Sequence, residues 1–153
     1  MKILSKKINC KLLIIGNGEE KSNLLSFIKK NKLKNVKIIN FKKNPYPYIK
    51  SSNLFILSSL YEGLPNVLLE AMALKKNIIA SDCPTGPREI LQNGKFGDLY
   101  KNNDLNDLIK RIKKFKKTSK INKIKVDLAY KSLIRFSFDR RCGDYLKLLS
   151  KYI

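Results

Sequence analysis

The chain has 153 residues, 43% of them hydrophobic, with 33 Lys and Arg against 12 Asp and Glu and no histidine, for a formal net charge of +21. That is the size of one domain with a real core, and the lack of histidine excludes Ser/His/Asp and Cys/His catalysis as well as histidine-ligated metals. Cys10, Cys83 and Cys142 have no paired spacing for a disulfide framework or a zinc site, and no apolar run approaches the roughly 18 residues of a bilayer span, so the chain reads as cytoplasmic.

Residues 1–10 read as the remnant of a helix whose beginning lies outside this chain. Leu12-Leu13-Ile14-Ile15 is a short apolar run ended by Gly16-Asn17-Gly18, the pattern of a buried parallel strand followed by a tight loop. Residues 19–30 follow as a helix with Leu24, Leu25 and Ile28 on one face. Val36, Ile38 and Ile39 make a second strand ending near Phe41. Residues 45–51 read as a turn with a short helix, and Leu54 to Leu57 as a third strand.

That strand delivers the chain to residues 58–73, SSLYEGLPNVLLEAMA, on which the reading centres. Proline favours the first helical position, so a helix is expected to begin at Leu64-Pro65, with Val67, Leu68, Ala71 and Met72 on its apolar face. Glu62 then sits in the loop and Glu70 in the second turn. A helix N-terminus leaves backbone N–H groups unpaired and carries about half a positive charge, a seat for phosphate, while carboxylates accept from hydroxyl groups nearby. Together these suit a sugar nucleotide. The alternative is that Glu62 is an acidic residue near a helix start and Glu70 a solvated helical one.

A fourth strand is expected at residues 77–80, a Pro- and Gly-rich loop at 82–87, a helical turn at 88–92 and a last strand at 97–100. Strands alternating with helices at this spacing predict an α/β fold, a Rossmann-like parallel sheet covered by helices on both faces, in a single domain. Ligands of such sheets bind at the carboxyl ends of the strands, where the loops at Gly16-Gly18, 58–66 and 82–87 all fall. A dinucleotide site is the rival, but Lys21 stands at the third glycine position and no acidic residue ends the second strand at Asn40. A P-loop signature is absent as well.

Asp104 is the expected N-cap of a helix whose Leu105, Leu108, Ile109, Ile112 and Phe115 form one apolar stripe and whose lysines lie mostly opposite. Such a basic amphipathic helix either packs on its own sheet or lies on an anionic membrane. Residues 118–125 read as a charged connector, and 126–153 as a C-terminal helical segment with Tyr145, Leu146, Leu149 and Tyr152 on one side. Only five of the 33 cations are Arg, whereas base and phosphate recognition favours Arg forks. Nucleic acid is therefore disfavoured as a partner; the lysines rise together with Asn and Ile, as a genome-wide codon bias would produce.

The run Glu62-Gly63-Leu64-Pro65-Asn66-Val67-Leu68-Leu69-Glu70-Ala71-Met72-Ala73 resembles the Glu-x7-Glu signature of the retaining glycosyltransferases of the GT-B fold, the group 1 or family 4 class. The segments LLIIGNGEEKSNL, NVKIINF, NLFILSSLYEG, NIIASDCPTGPREIL and GKFGDLY resemble the corresponding family segments in order and spacing. The resemblance implies the second, donor-binding half of such an enzyme, acting in bacterial surface polysaccharide or glycan synthesis. By position, Glu70 would bond the nucleotide ribose, Glu62 would face the donor sugar, and the backbone amides of Gly63, Leu64 and Asn66 would lie near sugar and diphosphate. Gly16 and Gly18 would let the backbone pass close to the diphosphate. No nucleophile, metal or cofactor is implied.

The resemblance also implies departures. The family's acceptor-binding first domain is absent, as are the first donor-domain strand and the Arg and Lys that grip the diphosphate. The domain is therefore expected to be incomplete and the isolated chain inactive, with a separate chain as one source of the missing domain. By the family's strand order the missing strand would lie between those at Leu12 and Leu54. The last helix crosses to the missing domain, which would leave Tyr145, Leu146 and Leu149 exposed. The implied partners are a nucleotide-sugar donor, most simply a UDP-sugar, and a lipid-linked or glycan acceptor, with peripheral contact to the inner face of the membrane. A non-catalytic nucleotide- or partner-binding fragment and a basic membrane- or nucleic-acid-binding protein are the alternatives.

Overall fold

The computed structural model describes residues 10–152, which fall into two compact units, one ending at Pro47 and the other beginning at Tyr48. The expected helix remnant at 1–10 lies, but for Cys10, outside the described residues. In the smaller unit β1 (Leu12–Ile15) pairs in parallel with β2 (Val36–Ile39), Leu12 opposite Val36 and Ile15 opposite Ile39, and α1 (Lys21–Lys30) connects them. The turn after β1 is tied from within. Gly16 N donates to Ile39 O at 3.0 Å, Phe41 N to Asn17 Oδ1 at 3.3 Å, and the Lys21 ammonium to Asn17 Oδ1 at 3.4 Å and to Asn40 Oδ1. Lys21 thus fills the position a third glycine would hold in a dinucleotide site. Of the expected helix face, Ile28 is half-buried while Leu24 and Leu25 are exposed.

The larger unit carries a parallel three-stranded sheet in the order β3 (Leu54–Leu57), β4 (Asn77–Asp82), β5 (Asp98–Lys101), with Leu57 opposite Ala80 and Ile79 opposite Asp98. The helix α2 (Tyr46–Ser51) precedes β3, α3 (Asn66–Ala73) joins β3 to β4, and α4 (Pro87–Ile90) joins β4 to β5. The fold class of the sequence reading holds: an α/β, Rossmann-like arrangement of parallel strands and connecting helices. The strands form two sheets rather than one, and among the described residues β1 pairs only with β2, and β3 only with β4.

The central strand reads Ile78-Ile79-Ala80-Ser81, buried throughout, as a strand covered on both faces must be. Against it lie Leu68, Ala71 and Met72 of α3, Ile90 of α4, then Leu91, Phe96 and Ala129. Val67, expected on the apolar face of α3, is exposed instead. Leu68 is fully enclosed, so Leu68→Ala is expected to lower unfolding free energy by about 2–5 kcal/mol, read as an earlier midpoint in a urea melt.

Residues 118–125 are not a connector. After α5 (Leu105–Lys117) the chain turns directly into α6 (Ser119–Ser132), a 3-10 turn (Leu133–Phe136) and α7 (Phe138–Leu149). Capping makes the difference. Thr118 Oγ1 donates to Lys114 O at 3.0 Å and Asn122 Nδ2 to Phe115 O at 2.8 Å, which satisfies carbonyls at the end of α5 and launches the next helix. Tertiary bonds then fix α6: Lys125 Nζ donates to Gly94 O at 3.0 Å and Gly97 O at 3.3 Å and pairs with Asp98, while Arg135 Nη2 donates to Ile90 O at 2.8 Å. Asp104 caps α5 as expected, accepting from Asp107 N at 3.0 Å. Tyr145, Leu146 and Leu149 are exposed, and no helix of the described residues is long and apolar enough to cross a membrane.

Candidate functional site

Two loops of the larger unit interlock around Glu62. Residues 58–65 run from β3 to α3, and residues 83–86 from β4 to α4. Loops are ordinarily mobile, but three carbonyls of this one are held by side chains from elsewhere. Ser81, fully buried in β4, donates its hydroxyl to Ser59 O at 2.5 Å. Asn102, just past β5, donates Nδ2 to Leu60 O at 3.0 Å, and the Thr85 hydroxyl donates to Glu62 O. Within the loop the Ser59 hydroxyl donates to Glu62 Oε1 at 2.6 Å, which leaves the second carboxylate oxygen free to accept from another group.

Gly86 locks the two loops together. Its backbone has φ +78° and ψ −74°, a conformation that L side chains rarely adopt, and a Cβ there would stand 2.3 Å from Gly63 O and 2.6 Å from Pro65 Cδ. Only glycine lets the second loop close on the first. At Gly63, by contrast, a Cβ would meet nothing within 4 Å, so packing does not require glycine there.

Pro65 is buried and extended, with ψ 96°, so it caps α3 and the helix starts at Asn66, one residue later than expected. The ring is wedged against the Gly86 backbone, which draws Pro65 out of the first turn. No side chain caps the helix, and Pro65 O accepts from Leu68 N at 2.9 Å. Among the described residues the amides of Asn66 and Val67 keep no acceptor, the arrangement that favours an anion. Glu70 lies on the second turn of α3, half-buried, its carboxylate without a hydrogen-bond partner among the described residues. Glu62, Gly63, Leu64, Asn66 and Glu70 therefore belong to one loop–helix corner, with Gly63 and Leu64 exposed.

Charges flank the corner without entering it. The Arg88 guanidinium pairs with Asp82 through Nε at 2.8 Å and through Nη2, and this bonding holds Arg88 above its ordinary pKa. Burial raises the Tyr100 phenol, a shift the Ser81 hydroxyl opposes. Gly16 and Gly18 belong to the smaller unit, in the turn after β1, and a Cβ at either would meet nothing within 4 Å. Cys10, Cys83 and Cys142 are free thiols, and the described residues contain no cluster of three His, Cys, Asp or Glu able to hold a metal ion.

The sequence reading found the two carboxylates and the helix start but not the residues that hold them. Ser59, Ser81, Thr85, Gly86 and Asn102 do that. The Thr85-Gly86-Pro87 turn was visible only as part of a Pro- and Gly-rich loop, and nothing local marked the other three.

The model of the family "Glycosyl transferases group 1" matches residues 1–131. The amylovoran biosynthesis glycosyltransferase AmsD of Erwinia amylovora is 44% identical over 96 residues, 62% of this chain and 27% of that protein. The N-acetylgalactosamine-N,N'-diacetylbacillosaminyl-diphospho-undecaprenol 4-alpha-N-acetylgalactosaminyltransferase of Campylobacter jejuni is 35% identical over 101 residues, 65% of this chain and 30% of that protein. Staphylococcus aureus TarM, solved with fondaparinux, alpha-GlcNAc-glycerol and UDP, superposes with a TM-score of 0.85 at 24% identity, covering 96% of this chain and 30% of TarM. The chain thus spans less than a third of the length of each of these proteins.

Proposed function

The chain belongs to the group 1 glycosyl transferases and has the fold of their GT-B members, and on that premise we propose that its loop–helix corner at residues 58–73 binds a nucleotide-sugar donor. The observation that carries this reading is the pairing of an uncapped helix N-terminus with two carboxylates that retain free acceptors. The amides of Asn66 and Val67 suit a diphosphate, Glu70 accepts from ribose hydroxyls and Glu62 from hydroxyls of the sugar. Gly63 and Leu64 present backbone to the sugar.

In a retaining transfer of family 4 type, negative charge develops on the departing diphosphate, so fixed N–H dipoles aimed at it lower the barrier without a protein nucleophile. Uridine is the proposed base, in keeping with the UDP bound to TarM. The proposed setting is bacterial surface polysaccharide or glycan synthesis on the cytoplasmic side, with a lipid-linked or glycan acceptor, in keeping with the named activities of the Erwinia and Campylobacter relatives. The acceptor site is assigned to the part of the relatives that this chain does not span, and the chain alone is expected to bind donor without transferring it.

A thermal melt with and without millimolar UDP tests this. A cooperative transition raised by UDP, and not by uridine alone, is expected, because a ligand of the native state stabilises it by mass action. A melt indifferent to every nucleoside diphosphate and nucleotide sugar would remove the donor-site reading.

A further inference from the structure

Residues 108–125 hold nine Lys and Arg and no Asp or Glu, a density that the rest of this already basic chain does not reach. The structure sorts these charges. On α5 the buried side is Ile109 and Ile112, turned to the sheet, while Lys110, Lys113, Lys114 and Lys117 recur at i, i+3, i+4 and i+7 and are all exposed. Among the described residues none of the four forms an ion pair; Asp107 pairs with Arg111 instead. A solvated helix face ordinarily interleaves the two signs, because like charges three and four residues apart destabilise the helix. Here four such like-charge pairs stand side by side, and the nearby carboxylate of Asp107, which feels Lys110, is committed to Arg111.

A second stripe lies on the adjoining helix. Ile121, Ile124 and Leu128 of α6 recur at i, i+3 and i+7 and are 53%, 53% and 38% exposed. The two helices follow each other directly and pack together. One helical pair therefore displays a row of lysines and a row of bare aliphatic side chains.

We propose that the α5–α6 pair docks this protein on an anionic phospholipid surface, the lysine stripe meeting headgroup phosphates and Ile121, Ile124 and Leu128 entering the headgroup–acyl boundary. Interfacial binding strengthens with buried apolar area and with attraction to anionic lipid, and this helical pair offers both. A nucleic-acid backbone would answer the lysines but offer nothing to exposed aliphatics, and it favours the forked guanidinium over the ammonium groups found here. The apolar face of α5 is already consumed by the fold, so α5 lies on the surface rather than in it. This inference goes beyond the donor-site reading and does not rest on it.

Sedimentation of the full chain with vesicles of neutral phosphatidylcholine, or of the same lipid with a third phosphatidylglycerol, is the test. Binding is expected only to the anionic vesicles and is expected to fall steeply between 0.1 and 0.5 M salt, as about a screening length of 10 Å shrinks toward 4 Å. Each lysine near such a surface is worth about a fivefold gain in partitioning, so the variant Lys110→Gln/Lys113→Gln/Lys114→Gln/Lys117→Gln should partition at least about a hundredfold less. Arg at the same four positions should restore binding. Ile121→Ser/Ile124→Ser should weaken binding about tenfold at unchanged salt dependence. Circular dichroism verifies that each variant keeps its helices. Failure to bind anionic vesicles, equal binding by the four-Gln variant, or tighter binding to duplex DNA that ignores Ile121 and Ile124 would overturn the proposal.

Discussion

Glu70→Ala is expected to weaken UDP binding by about ten- to a hundredfold while leaving the free chain's stability almost unchanged. The two halves of that expectation have separate causes. Glu70 is half-buried on α3, yet its carboxylate has no hydrogen-bond partner among the described residues, so removing it breaks no hydrogen bond or ion pair there. The shift in melting temperature should stay within about 2 °C, as for a substitution worth at most about 0.5 kcal/mol. A hydrogen bond between a carboxylate and ribose hydroxyls contributes about 1.5–3 kcal/mol, and each 1.4 kcal/mol is tenfold in affinity. Titration calorimetry with UDP reads the first half and a melt the second. Affinity unchanged in a stable Glu70→Ala protein would reduce the Glu-x7-Glu spacing at Glu62 and Glu70 to a structural feature.

Gly86→Ala should act on both quantities at once. A non-glycine residue at φ +78° carries a strain of order 1–3 kcal/mol, and the new Cβ must also displace Gly63 O from 2.3 Å or the Pro65 ring from 2.6 Å. Neither obstacle is the flexible end of a side chain. A loss of about 3 kcal/mol corresponds to a fall of about 6–12 °C in melting temperature. Because the displaced atoms belong to the Glu62 loop and the cap of α3, UDP affinity should fall as well, even at temperatures where the variant is folded. Gly63→Ala is the matched comparison: with open space around it, it should leave the melt in place, so any loss of UDP affinity there reports on the ligand and not on packing. Gly86→Ala melting within about 2 °C of the parent and binding UDP equally well would show that the two loops are not interlocked as described.

How much of this was legible beforehand depended on whether the cause was local. The alternation of apolar runs with helical periodicity located the five strands of the described residues, because burial writes itself into adjacent residues such as Ile78, Ile79 and Ala80. Pro65 was placed one residue too far into α3 because the helical preference of proline is local, whereas the wedge against Gly86 comes from 21 residues later. The first half of α6, residues 119–125, was read as a connector for a similar reason. Its sequence is lysine-rich with a weak apolar stripe, and what fixes it is Lys125 on Gly94, Gly97 and Asp98. Glu62 and Glu70 could be found from their spacing around a helix start, but the hydroxyls and amide that hold the Glu62 loop could not, since a serine or asparagine bonding a distant carbonyl leaves no pattern along the chain.

Those distant bonds also set an order of assembly. The three carbonyls at Ser59, Leu60 and Glu62 wait for partners at Ser81, Asn102 and Thr85, which lie 22, 42 and 23 residues further on. A chain made from its amino end at about 5–20 residues per second presents Glu62 about 2–8 s before Asn102 exists. During that interval Ser81 and Thr85 arrive for Ser59 O and Glu62 O, while Leu60 O still lacks its partner. The last of the three bonds forms only once Asn102, just past β5, has been made, so the Glu62 loop would be fully tied down late in synthesis.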